Sequence, residues 1–261
     1  MNISINTASL TVLGIPPYLF WAEAGYVVSL SFFIMACAMK GKPYKRYGII
    51  FNLSLCFLAI GAKIGGIILK LITVLVHHQE ISVTTFTETG IVFYGGLVGF
   101  LVSFVIMAKF STHEEDRDVM DILACSIPLF HVFGRIGCFS AGCCFGIETD
   151  CILSVEYTNY VSGELVTANR FPVQLAESMV NGIIFVALLS LLYKNFLRDR
   201  LIYLYLIIYS CCRFVLEFFR GDFDREVFGV LSFSQIISVI LFSFGSIWLG
   251  FNYIRKRKVR V

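Results

Sequence analysis

Three charged residues stand at one-turn spacing in an otherwise apolar run: Arg213, Glu217 and Arg220, at i, i+4 and i+7, with Tyr209 one turn earlier. That spacing puts all four side chains on one helical face. One carboxylate cannot neutralise two guanidiniums, so the face keeps a surplus positive charge. His131 and Arg135, again four apart, share a face of a second apolar run. Where the two runs approach, Arg135 and Arg213 converge on an electropositive pocket. Guanidiniums are permanently charged and offer planar, paired donors that match phosphate oxygens. The plainer alternative is an internal Arg213–Glu217 clamp between helices. The second arginine on another run weighs against it.

Four cysteines follow the second run in the pattern C-x4-C-C-x6-C: Cys138, Cys143, Cys144 and Cys151. Zinc sites usually show C-x2-4-C pairs with a distant second pair, and adjacent cysteines are poor co-ligands, so no metal is expected. A disulfide fits better on an oxidising side of a membrane, with free thiols lining a pocket as the alternative. Cys37, Cys56, Cys125, Cys211 and Cys212 read as small apolar fillers.

The elements that must position these groups are set by composition. Of 261 residues, 57% are hydrophobic and 15% charged, with 26 phenylalanines; the mean hydropathy is +0.81. A water-soluble fold needs more polar residues to cover itself, and disorder, collagen and coiled coil are excluded with it. Seven apolar stretches, near residues 18–39, 49–76, 91–110, 119–139, 172–193, 201–219 and 228–254, are long enough to span a bilayer. The fourth is the weakest, because Asp121, Pro128, His131 and Arg135 interrupt it. Six spans and one re-entrant segment is the alternative count. The fold class is therefore an all-α polytopic membrane protein of about seven transmembrane helices with a small extracytoplasmic cap. Residues 1–261 form one integral membrane domain, and 140–171 form the cap. Alternation at Ile152, Val155 and Tyr157, then Leu165 and Val166, predicts a hairpin there. In-membrane charges face a partner or a wet cavity. Near the outer surface, the arginine pocket suits an anionic phospholipid head group.

Fourteen of the 21 basic residues fall on alternate loops. They are Lys40, Lys42, Lys45 and Arg46, then Lys109 and Arg117, then Lys194, Arg198 and Arg200, with five more at 255–260. The opposite loops hold only Arg170, Arg220 and Arg225. The positive-inside rule then places the N-terminus outside and the C-terminus in the cytoplasm. A net charge of +3 points to no nucleic-acid partner. Residues 1–17 carry no basic residue and no cleavage site, so no signal peptide is expected. Gly61-x3-Gly65 and Gly95-x3-Gly99 fit close helix contacts. No internal repeat marks an inverted-repeat transporter.

Several separated motifs together resemble the prolipoprotein diacylglyceryl transferase family. Gly134-Arg135-Ile136-Gly137-Cys138-Phe139-Ser140-Ala141-Gly142-Cys143 is similar to the signature G-R-x-G-N-F-x-N-G-E. Phe93-Tyr94-Gly95-Gly96-Leu97 resembles F-H-G-G-L, and Arg170-Phe171-Pro172-Val173-Gln174-Leu175-Ala176-Glu177 resembles R-x-P-x-Q-L-Y-E. The segment from Tyr209 through Arg213, Glu217 and Arg220 to Asp222 is similar to Y-x3-R-x3-E-x2-R-x-x-D, one residue short before the Asp. Ile60-Gly61-Ala62-Lys63-Ile64-Gly65 is similar to a G-x-R-x-G segment with Lys for Arg. The motifs keep the family's order.

The resemblance implies transfer of the diacylglyceryl group of phosphatidylglycerol to the lipobox cysteine of prolipoprotein signal peptides, in the bacterial plasma (inner) membrane. A thioether forms, glycerol phosphate leaves, and no cofactor is needed. It implies Arg135 and Arg213 on the phosphate, Glu217 orienting Arg213, and Gln174, Glu177, Tyr209 and Arg220 around the pocket. Gly95, Gly96, Gly134, Gly137, Cys138 and Cys143 fall at motif positions that line the substrate. The family's His is Tyr94, whose phenol, with an ordinary pKa near 10, is a poor base. His131 is the other candidate. The signature Asn and Glu are Cys138 and Cys143, which keep the hydrogen-bonding capacity of neither. A lipid-modifying enzyme with a different acceptor, or a non-catalytic lipid-binding or thiol-redox membrane protein, are the alternative readings.

Overall fold

The computed structural model describes residues 4–6, 14–76, 92–112, 117–161, 164–221 and 231–258. Asp222, Arg225 and the predicted span edges at 91 and 228 lie outside the described residues. The helices are α1 (Pro17–Met39), α2 (Tyr44–Val76), α3 (Phe93–Thr112), α4 (Arg117–Ser140), α5 (Val173–Tyr193), α6 (Leu201–Leu216) and α7 (Phe233–Lys258). Six apolar helices among the described residues are long enough to cross a membrane, and α3 carries the shorter apolar stretch Tyr94–Phe110. The protein is a polytopic helical membrane protein. The doubtful fourth span is a continuous helix with Pro128 inside it. It tolerates its polar residues because 56% of its apolar window is buried, against 17–44% in the other five. Those charges face protein, not lipid.

The described chain divides into two compact units. One comprises residues 33–119 and 225–237. Within it α2 and α3 approach closely enough that a Cβ on Gly61 or on Gly95 would run into the other's carbonyl, while one on Gly99 would meet the Phe57 carbonyl. The small-residue spacing seen in the sequence therefore does what it predicts, bringing two backbones together. Phe33, Tyr47, Phe51, Phe100 and Phe104 stack beside this contact, with the Phe33–Phe104 pair edge to face at 5.8 Å. Gly61→Val should cost about 1–3 kcal/mol by overpacking. A lowered thermal midpoint in detergent reads that loss. Gly250→Ala is the neutral control, since a Cβ there meets nothing within 4 Å.

The other unit holds residues 1–32, 120–224 and 238–261. Gly25 lets α1 pass against Phe133 of α4, and Gly137 lets α4 pass against Tyr18 and Trp21 of α1. Ser178 of α5 donates to the Val132 carbonyl of α4 at 3.0 Å. Asp121 accepts the backbone N–H groups of Asp199 at 2.6 Å and Leu201 at 2.9 Å, so a buried carboxylate on α4 caps the start of α6. Gly245 seats α7 on Tyr203 and Ile207 of α6.

Between α4 and α5 lies the cap. Strands β2 (Val155–Val161) and β3 (Glu164–Arg170) pair antiparallel, from Val155 opposite Arg170 to Val161 opposite Glu164. This is the predicted hairpin. A strand unforeseen in the sequence, β1 (Ser4–Asn6), adds in parallel to β2. The loop before the hairpin is pinned by the Gly146 N–H to the Phe171 carbonyl and the Ile147 N–H to the Phe219 carbonyl, each at 3.0 Å. Backbones cross so tightly there that a Cβ on Gly146 would strike the Phe171 carbonyl. The cap is thus tied to the far ends of the helices that carry the site.

Candidate active site

Arg135 comes from α4, Glu177 from α5, and Arg213 from α6. Arg135 donates from Nη2 to Glu177 Oε1 at 2.8 Å, and Arg213 Nη1 lies 3.5 Å from the other oxygen, Oε2. One carboxylate therefore gathers the two arginines that the sequence expectation brings together. Arg213 also pairs with Glu217 through Nη2 at 2.8 Å, and Arg220 Nη1 lies 3.7 Å from the same Glu217 oxygen. Glu177 is 2% exposed and Arg213 4%.

Among the described residues, three guanidiniums face two carboxylates, with Arg213 and Glu177 buried and Arg220 partly exposed. Guanidiniums buried in a membrane protein call for an anionic partner or a wet cavity. Arg135 Nε supplies a second sign of the same need: it is buried and meets no acceptor among the described residues. The predicted common face of Tyr209, Arg213, Glu217 and Arg220 holds only in part. The α-helix ends at Leu216 and tightens into a 3₁₀ turn over Glu217–Phe219, so Arg220 sits on extended backbone bridged to Gly146. Arg220 still reaches Glu217, but from the end of the helix.

His131 is 4% exposed, with its ring 5.1 Å from that of Tyr209, which stacks in turn on Tyr205. Gln174 is fully buried and braces the cap loop. Its Nε2 donates to the Cys143 carbonyl at 2.7 Å, and its Oε1 accepts from the Tyr157 hydroxyl at 3.3 Å. Burial pushes the Tyr157 phenol up to about 12, against the opposing pull of that hydrogen bond. Arg170 fixes the same loop through Glu148 at 2.6 Å, with its guanidinium over the Phe145 ring at 4.5 Å.

Cys138, Cys143 and Cys144 converge at the end of α4, with their sulfurs all within 4.8 Å of one another. Every one of the nine cysteines is a free thiol. Of the two readings open from the sequence, the disulfide is not formed and the free thiols are found, three of them meeting as one group. Hydrogen bonds from Cys138 and Cys143 pull the Cys144 thiol below its ordinary value, and the nearby Arg220 and Arg135 charges act the same way against burial.

Among the glycines, a Cβ on Gly134 would meet nothing within 4 Å, so the backbone beside Arg135 faces open space. Tyr94, Gly95 and Gly96 belong to the other unit, where Gly95 and Gly96 are occupied in the α2–α3 contact and Tyr94 is 3% exposed.

The family profile of prolipoprotein diacylglyceryl transferase matches residues 9–251. The chain belongs to that family. The phosphatidylglycerol–prolipoprotein diacylglyceryl transferase of Clostridium tetani is 30% identical over 242 residues, covering 89% of this chain and 94% of its own length. A second enzyme of that name, from Clostridium perfringens, is 28% identical over 250 residues, 94% of each chain. That of Helicobacter hepaticus is 37% identical over 175 residues, 64% of this chain and 57% of its own. Within the family's motifs, sequence spacing located both arginines. It missed that Glu177 joins them, since a partner 42 residues away on another helix leaves no periodic signal. It also grouped the cysteines at and beyond the end of α4, of which Cys138, Cys143 and Cys144 form the sulfur cluster and Cys151 does not join it.

Proposed function

We propose that the protein transfers the diacylglyceryl group of phosphatidylglycerol to the lipobox cysteine sulfur of prolipoproteins. The observation that carries this reading is the buried arginine pair gathered on one carboxylate, with Arg135 Nε buried and without an acceptor among the described residues. The anionic oxygens of a phosphodiester match such guanidinium donors. Arg135 and Arg213 hold its oxygens, Glu217 and Glu177 orient the guanidiniums, and Arg220 closes the end of the site. The acceptor sulfur, its proton lost to water, attacks the terminal glyceryl carbon; the bond from that carbon to the phosphodiester oxygen breaks, and its electron pair leaves with glycerol phosphate. Charge grows on that leaving group, where preset guanidiniums lower the barrier most. Gln174 and Tyr209 shape the walls.

The chain works as one integral membrane domain in the bacterial plasma membrane. The 14-to-3 split of basic residues puts the N-terminus and the cap of residues 140–171 outside and the C-terminus inside. Expression in a strain depleted of its own transferase tests the activity. A reporter prolipoprotein should gain the diacylglyceryl mass, and its lipobox Cys→Ser version should not. Membrane-inserted protein that yields no lipidated reporter would refute the assignment.

A further inference from the structure

We propose that Cys138, Cys143 and Cys144 form a three-thiolate zinc site whose fourth position takes the acceptor cysteine sulfur of the substrate. Zinc–thiolate bonds of about 2.3 Å at tetrahedral angles set sulfurs about 3.8 Å apart. Three sulfurs already within 4.8 Å of one another need only small rotations about their side-chain bonds to reach that spacing.

Adjacent cysteines are poor co-ligands on ordinary backbone. Here the chain turns through left-handed conformations at Gly142 (φ 65°) and at Cys144 (φ 58°). For a non-glycine residue that conformation is costly and persists only where surroundings impose it. Two hydrogen bonds impose it here: Cys143 N–H donates to the Cys138 carbonyl at 3.1 Å, and Gln174 Nε2 donates to the Cys143 carbonyl at 2.7 Å. Zinc with three thiolates carries a net negative charge, and Arg135 Nη1 stands 3.9 Å from Cys138 Sγ to balance it. Cys138 is buried while Cys143 is exposed, so the site is open on one side. No other His, Cys, Asp or Glu joins the group among the described residues. Three protein ligands and one open position is the arrangement of catalytic zinc.

The site also answers a chemical need, and to that extent it rests on the transferase reading. Alkylation of sulfur requires a thiolate. The phenol of Tyr94, with an ordinary pKa near 10, is a poor base, and the ring of His131 packs on Tyr209. A thiol bound to zinc loses its proton outright. In the balanced step that proton passes to water and the sulfur lone pair forms the S–C bond. The C–O electron pair leaves with glycerol phosphate. Zinc changes no oxidation state.

The test uses the full chain purified in detergent under reductant. Metal analysis should find about one zinc per chain. Cobalt substitution should give thiolate-to-cobalt charge-transfer bands and intense tetrahedral visible bands. Cys144→Ser should lower zinc affinity by about a hundredfold or more, and Cys56→Ser, in α2, should leave it unchanged. A peptide with a lipobox cysteine should shift the cobalt bands, and its serine version should not. If a serine variant fails to accumulate, the cobalt spectrum of the unmodified chain and its response to peptide still decide. Chain without zinc and with only octahedral cobalt bands overturns the site, as does a disulfide between two of the three sulfurs. Lipidation that persists after zinc removal overturns the metal's part in transfer and leaves the transferase reading intact. A cobalt–thiolate site that takes the peptide sulfur, in protein that never lipidates it, sinks the transferase reading and leaves the metal site standing.

Discussion

Replacing Glu177 with alanine will cost about 3–5 kcal/mol of stability, because it leaves two guanidiniums buried without the carboxylate they share. The side chain is fully enclosed, 2% exposed, and its two oxygens each serve a different arginine. Removing it takes the shared carboxylate from two buried guanidiniums, those of Arg135 and Arg213. The cost comes less from the lost attraction than from the charges stranded by its loss. Glu177→Gln keeps the volume and one acceptor, so its penalty should be smaller, but its amide N–H group then faces an arginine donor.

The double variant Glu177→Ala/Arg213→Met separates charge from packing. If stranded charge dominates, adding the second substitution restores stability, and the two effects sum to less than their separate values. Equilibrium unfolding in mixed micelles with a denaturing detergent provides the measurement. Additive losses would mean that Glu177 matters through its volume and not through the arginines.

That clamp also marks the boundary of what the sequence could tell. Helices were legible because about 20 apolar residues in a row have few alternatives in lipid. Arg213 and Glu217 were legible because their spacing is local, and they do pair at 2.8 Å. The extension of the same rule to Arg220 fails at Leu216, where the α-helix gives way to a 3₁₀ turn that periodicity cannot foresee. Glu177 stood in a recognisable motif, yet only the packing of α4, α5 and α6 makes it common to both arginines.

The cysteines show the same limit from the other side. Their spacing argued against a shared ligand, and the spacing rule is sound for extended or helical backbone. It takes no account of a helix end, where Gly142 and Cys144 adopt left-handed backbone and three sulfurs come within 4.8 Å. The short strand β1 was invisible for a related reason, since its partner in β2 lies about 150 residues away and parallel pairing leaves no hairpin signature.

Arg135→Lys should lower turnover in diacylglyceryl transfer by about 10²–10³-fold while leaving the protein folded. The substitution keeps the positive charge near Glu177, so a purely structural clamp would survive it. What it removes is the planar fork and the inner N–H. Arg135 Nε is the atom that carries this distinction: it is buried, it meets no acceptor among the described residues, and it is absent from lysine. A ground-state contact would appear mainly in KM. Negative charge on the leaving phosphate increases during reaction, so the loss should instead fall mainly on kcat. Arg135→Ala should lose at least as much turnover, and added guanidinium should restore part of it by occupying the vacated volume. Measurement requires lipidation rates normalised to folded protein in lipid vesicles containing phosphatidylglycerol. Arg135→Lys turnover within about threefold of the unmodified chain would reduce Arg135 to a helix clamp and remove it from the phosphate.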